Sequence, residues 1–198
     1  ILGILGDAPG YGKTITFLAL IDALKEIKAS WMPYSEAYLR NNHYGNPHRI
    51  YDLHYGIFLT KNQEYEAIPA TLIVIPDNLV DHWQRHLNEY TELSYETVCK
   101  KNLDKIMIEG YDVVLCPASI YNAFVSQYKD VYWNRVAFDE ADSIHIPNTN
   151  AINCRFLWLI SATYENISKR RNKGFLRDLF SSYYYDSTIE RHFYPVVV

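Results

Sequence analysis

A chain of 198 residues with 48% apolar and 21% charged residues can close one full core, as a single domain or a domain with an insertion. A formal net charge of -4 and a pI near 6.0 exclude a strongly electropositive protein that coats nucleic acid non-specifically, while leaving room for a local nucleic-acid track. Cys99, Cys116 and Cys154 are odd in number and lack C-x-x-C spacing, so neither a disulfide framework nor a zinc site is indicated, and a reducing, intracellular compartment is the default expectation.

No apolar stretch approaches the roughly 20 residues of a membrane span, and no basic segment precedes Ile1 as in a secretory signal, so no membrane partner is expected. The chain starts without Met and already inside a strand pattern, as an excised piece of a longer protein would.

The apolar run Ile1 to Leu5 predicts a strand, and Ile15 to Ile27 predicts a helix with Ile15, Leu18, Ala19, Ile21 and Leu24 turned inward. Between them lies Gly6-Asp7-Ala8-Pro9-Gly10-Tyr11-Gly12-Lys13-Thr14, the layout of a phosphate-binding loop. A phosphate chain needs several backbone N–H groups converging on it, and Gly10 and Gly12 supply backbone free of side chains. The helix beginning near Lys13 adds its positive N-terminal end. Gly10, Tyr11, Gly12, Lys13 and Thr14 are thus the candidate nucleotide-binding residues. Lys13 would reach the β- and γ-phosphates of a nucleotide, and the Thr14 hydroxyl would hold Mg²⁺. The usual spacing G-x-x-x-x-G-K-[ST] would place glycine at position 7, where this chain has Asp7.

Residues 30–69 read as an irregular insertion, rich in Tyr, Pro and Gly, with one short hairpin around Tyr51 to Leu59. His43, His48 and His54 lack metal-ligand spacing and accompanying carboxylates, so they read as loop histidines. From Ala70 strands and helices alternate. Thr71 to Ile75 is a β-branched run of the kind buried on both faces of a parallel sheet. Asn78 to Tyr90 carries Leu79, Trp83, His86, Leu87 and Tyr90 at helical spacing. Ser94 to Cys99 predicts a short strand. Tyr111 to Cys116 predicts a longer one, followed by a helix through Ile120, Phe124 and Tyr128. Arg135 to Phe138 and Phe156 to Ile160 are two further strands. The pattern predicts an α/β fold: a doubly wound parallel sheet flanked by helices, with ligands at the carboxyl ends of the strands.

The strand Arg135 to Phe138 ends in Asp139 and Glu140. An acid in that position completes the Mg²⁺ shell in P-loop ATPases, and a neighbouring Glu polarises the attacking water. Taken alone, the pair could equally be an acidic strand end or helix N-terminus.

Asp139-Glu140-Ala141-Asp142 spells the DEAD box, Ser161-Ala162-Thr163 spells the SAT motif, and both follow the phosphate loop in order. With these motifs the chain resembles the first RecA-like lobe of a superfamily 2 helicase. Its flanks are similar to the Swi/Snf-type DNA translocases and related helicases of large DNA viruses, more than to the RNA-acting DEAD-box branch. Asp7 to Thr14 resembles the D-E-x-G-x-G-K-T loop of that branch, which accounts for Asp7. Leu72 to Trp83 resembles its second motif, Tyr111 to Tyr121 its Y-D-V-V strand and turn, and Trp133 to Val136 the approach to its acids.

The resemblance covers most of residues 1 to 164 outside the insertion. It implies that Lys13 and Thr14 bind phosphates and Mg²⁺, that Asp139 binds Mg²⁺, and that Glu140 activates water. Asp142, Ser161, Ala162 and Thr163 would couple nucleotide state to the rest of the machine. It further implies that Pro76, Asp77, Asn78, Pro117, Ala118 and Ser119 lie along a nucleic-acid backbone, with double-stranded DNA the expected partner; ordinary helix caps at these strand ends remain the alternative. A second RecA-like lobe, outside this chain, would complete the site, and a viral source would place the protein in the infected-cell cytoplasm or the virion.

After Thr163, the basic run Lys169 to Lys173 leads into an amphipathic pattern at Gly174 to Phe180. Tyr183-Tyr184-Tyr185 and a final strand pattern over Thr188 to Val198 follow. Two other functions fit parts of the sequence. One is a nucleotide-dependent protein-binding module, and the other is a P-loop phosphotransferase, which would need a lid of arginines that is not evident here.

Overall fold

The structure, a computed structural model, describes residues 2–25, 49–52, 57–60, 66–170 and 174–177. Among the described residues there are eight strands: β1 (Leu2–Leu5), β2 (Arg49–Asp52), β3 (Ile57–Thr60), β4 (Glu66–Ile75), β5 (Tyr95–Thr97), β6 (Val113–Pro117), β7 (Val131–Phe138) and β8 (Asn153–Ile160). The helices are α1 (Lys13–Ala23), α2 (Val80–Tyr90), α3 (Tyr121–Gln127) and α4 (Glu165–Arg170). Six strands form one sheet in the order β1-β8-β7-β4-β6-β5, every pairing parallel. β2 and β3 pair antiparallel as a separate two-stranded ribbon. This ribbon is the hairpin expected near Tyr51 to Leu59; His43, His48 and His54 lie outside the described residues, as do Tyr183 to Tyr185 and Thr188 to Val198.

The central strands are continuous apolar runs because both faces of the sheet are covered. Leu72 and Val74 of β4, Val114 of β6 and Val136 and Phe138 of β7 pack on one face with Tyr121, Phe124 and Val125 of α3, Ile167 of α4, and Phe175 and Leu176. Ile73 and Ile75, Val113 and Leu115, and Ala137 pack on the other face with Phe17, Leu18 and Ile21 of α1 and Trp83 and Leu87 of α2. Alternation along each strand therefore sends one residue to each helical layer, at roughly 1.5–3 kcal/mol per fully buried large side chain.

Three expectations are corrected. Ile15 is 41% exposed and Ala19 is also exposed, while Phe17 takes the buried place and meets Trp158 edge-on at 5.9 Å. Apolar residues surround α1, so spacing alone does not select the core face, and the bulkier Phe17, Leu18 and Ile21 occupy it. The insertion ends earlier than expected, because β4 already begins at Glu66 and runs through Pro69. Pro69 has no N–H to give the ladder, and the register between β4 and β7 shifts between Ile68 and Thr71, where the irregularity absorbs it. Finally, α1 ends at Ala23 within residues described to Lys25, short of the expected Ile27.

Candidate nucleotide and nucleic-acid site

The carboxyl ends of β1, β4, β6, β7 and β8 meet at one edge of the parallel sheet, and each sequence motif lies there. The loop after β1 is shaped by Gly10 and Gly12, at φ 83° and 77°, and Gly12 is the N-cap of α1. A Cβ added at either glycine would meet nothing within 4 Å, so the loop presents an open, bare-backbone cradle. Lys13 turns its Nζ back over this cradle and donates to the backbone oxygens of Asp7 at 2.8 Å and Ala8 at 3.1 Å. Among the described residues the ammonium is held by carbonyls of its own loop, placed to exchange them for phosphate oxygens. Asp7 contributes its main chain to this arrangement, which any residue could supply. Tyr11 stands 75% exposed between the two glycines.

Asp139 continues the β7 ladder, its N–H bonding to the Val74 oxygen at 2.9 Å, and is only 7% exposed. Its Oδ2 accepts the Trp83 indole N–H at 2.8 Å and its Oδ1 accepts the Glu140 N–H at 3.0 Å. Burial raises its pKa, opposed by those two hydrogen bonds and by the charges of His82 and Lys13. Glu140 has φ 50°, a left-handed conformation costly for a side chain with a Cβ. Its oxygen accepts from Ser143 N at 2.8 Å and Ile144 N at 2.7 Å, which holds that turn. The Glu140 carboxyl is also raised, by burial first and then by Asp139 and Asp142, with Lys13 opposing. The Lys13 charge thus opposes the upward shift of both acids.

Asp142 links two strand ends. Its Oδ1 accepts from Ser161 Oγ at 2.5 Å, and its Oδ2 accepts from Thr163 Oγ1 at 2.6 Å and Asn166 Nδ2 at 3.5 Å. Burial would raise its pKa, but these donors outweigh it and the net direction is down. Ser161 also accepts the Thr163 N–H at 3.0 Å and donates its own N–H to Leu5 at 3.1 Å, so β1, β7 and β8 are tied together at the loop. Ala162 completes this turn without a polar group of its own.

A cleft of about 600 Å³ opens beside the acids, lined by Pro76, Asp77, Asn78, Leu79, Ala118, Glu140, Ser143, Ile144 and His145. The Asp77 carboxylate bridges the two turns flanking it, accepting from the Ser119 hydroxyl and from the Ser119 N–H at 3.3 Å. Pro76 to Asn78 and Ala118 to Ser119 are therefore brought together next to Glu140. Pro117 is buried as the last residue of β6 and is not among the residues lining the cleft.

Two residues of this edge have roles that the sequence does not announce: Trp83 stands at helical spacing and in the stretch resembling the second motif, with nothing to tie it to Asp139, and Asn166 carries no expectation. A buried indole N–H requires an acceptor, which was the available signal for Trp83. Among the described residues no cluster of three or more His, Cys, Asp or Glu forms a metal cage, and no helix is long and apolar enough to cross a membrane. The donor set of Thr14 hydroxyl and one buried carboxylate next to a phosphate cradle fits Mg²⁺, which keeps most of its waters and binds through one or two protein oxygens.

The SNF2-related domain matches residues 1–163. A DNA repair protein of Arabidopsis thaliana, RAD5B, is 27% identical over 168 residues, covering 78% of this chain and 12% of that protein. The SWI2/SNF2 ATPase core of Sulfolobus solfataricus in complex with double-stranded DNA superimposes with a TM-score of 0.53 at 18% identity, over 81% of this chain and 27% of that one. The same organism's SWI2/SNF2 ATPase core domain gives 0.54 at 16% identity, over 90% and 30%. The chain thus spans a small part of each relative it matches, and the two structures share its RecA-like α/β fold.

Proposed function

The chain belongs to the SNF2-related domain family, and from that premise we propose that it is the ATP-binding lobe of a DNA-dependent superfamily 2 ATPase that moves on double-stranded DNA. The observation that carries the reading is the placement of the Gly10 and Gly12 cradle with Lys13 after β1, and of Asp139 and Glu140 after β7, at the same edge of one parallel sheet. In this reading the backbone of Gly10 to Gly12 and the Lys13 ammonium bind the phosphates, with Tyr11 exposed alongside. Thr14 and Asp139 would hold Mg²⁺, which when bound neutralises phosphate charge. Glu140, its carboxyl raised by burial, takes a proton from the attacking water.

The Asp142, Ser161 and Thr163 network ties the acid strand to β1 and β8 and would pass nucleotide state to the cleft at Pro76 to Asn78 and Ala118 to Ser119. We assign that cleft to the nucleic-acid backbone; the double-stranded DNA in the Sulfolobus complex supports the choice of duplex. The reading includes a second RecA-like lobe in the parent protein that completes the transition-state charge contacts. The cysteine spacing supports a reducing, intracellular setting.

Lys13→Ala is expected to abolish Mg-ATP binding, and Glu140→Gln to keep binding while removing turnover. Equilibrium binding and steady-state hydrolysis on the complete protein separate the two. Hydrolysis unchanged in both variants would overturn the assignment.

A further inference from the structure

Trp83 is fully buried in the layer between α2 and the sheet, in the cluster that holds Phe17, Ile21, Ile75 and Ala137. Packing alone would be satisfied by any large apolar side chain. An indole also carries one obligatory donor, which is costly to bury without a partner. Here that donor goes to a specific atom, Oδ2 of Asp139, at 2.8 Å across 56 residues of sequence. The other carboxylate oxygen accepts the Glu140 N–H at 3.0 Å. Each oxygen is thereby held by one fixed protein donor, which sets the plane of the carboxylate, and each keeps a second lone pair. The indole cannot swing away, since its ring has no exposed surface and its helix begins directly after the Asp77–Leu79 turn.

We propose that Trp83 is a positioning residue for Asp139: its indole N–H holds the carboxylate in the orientation that receives Mg²⁺ beside the phosphate loop. The proposal rests on the assignment of Asp139 as the metal-binding acid. A partner that orients a metal ligand affects metal affinity rather than phosphate binding itself, typically by tenfold or more.

The experiment uses the complete protein with Trp83→Phe, Asp139→Asn and the double variant. A second replacement at position 83, by 3-benzothienylalanine, keeps the bicyclic ring and lacks the N–H. Binding of a fluorescent ATP analogue is measured across a Mg²⁺ titration and again in EDTA, alongside thermal unfolding without ligand. Both position-83 variants are expected to raise the Mg²⁺ half-saturation about tenfold while binding in EDTA stays at the wild-type level. In the Asp139→Asn background the change at position 83 is expected to add nothing. An unchanged Mg²⁺ half-saturation in the benzothienyl variant, an equal loss in EDTA, or additive effects in the double variant would overturn the proposal. A wild-type protein that gains nothing from Mg²⁺ would overturn the metal assignment and this inference with it. A metal advantage lost in Asp139→Asn but kept in both position-83 variants would overturn this inference alone.

Discussion

Gly12→Ala separates the cost of a backbone conformation from the cost of a filled ligand site. Gly12 has φ 77° and a Cβ there would touch nothing within 4 Å, so the folded protein meets only the left-handed penalty, about 1 kcal/mol. For a domain of this size that is a fall in Tm of about 2–4 °C. The open space is the point: the methyl would stand in the cradle that phosphates approach. At a hundredfold excess over Kd, Mg-ATP stabilises the wild-type protein by about 2.7 kcal/mol, or about 5–11 °C. Binding weakened about twentyfold would leave the variant about 1 kcal/mol of that gain.

Gly6→Ala is the control. Its Cβ would come within 2.7 Å of the Tyr164 ring, an overpacking that costs about 1–3 kcal/mol without entering the cradle, so the ligand-induced shift should survive. Differential scanning calorimetry with and without Mg-ATP reads both effects. A Gly12→Ala protein that loses far more than about 1 kcal/mol without ligand, or that keeps the full ligand shift, would refute the reasoning.

The remaining predictions concern Asp142. Because its folded pKa is lowered, its charged form stabilises the fold above the ordinary carboxylate range near pH 4, and that contribution disappears as pH falls through the lowered value. Urea unfolding at several pH values should show a wild-type advantage over Asp142→Asn that is constant near neutrality and shrinks on acidification. Ser161→Ala removes a 2.5 Å hydrogen bond to this carboxylate and should cost about 1–2 kcal/mol at pH 7 and less in acid; a loss independent of pH would contradict the assigned cause.

Much of the site could be read before the fold because its chemistry is local. The loop from Gly6 to Thr14 needs bare backbone followed at once by a helix, and both signals sit within a few residues. Asp139 and Glu140 follow a strand whose apolar run marks it as buried on both faces. What escaped depends on neighbours far along the chain. Strand order is such a case: nothing in β1 says that it pairs with β8, so the bond from Ser161 to Leu5 had no sequence signature. The Trp83 to Asp139 bond joins an inward helix position to a strand end and needs the placement of α2 against β7. Pro69 misled in the opposite direction, since a strand interrupter was accommodated by a register shift. On α1, helical spacing points to Ile15 and Ala19 as inward residues, but apolar residues lie around the helix and Phe17 takes the buried place.

The central claim is that this chain supplies the nucleotide half of a machine driven on duplex DNA. The measurement that tests it most directly is Mg-ATP turnover of the complete protein without nucleic acid and with duplex DNA, single-stranded DNA or RNA, Glu140→Gln serving as the blank. The account predicts turnover stimulated by duplex DNA above the other conditions and absent from the blank. Turnover indifferent to every nucleic acid would contradict it.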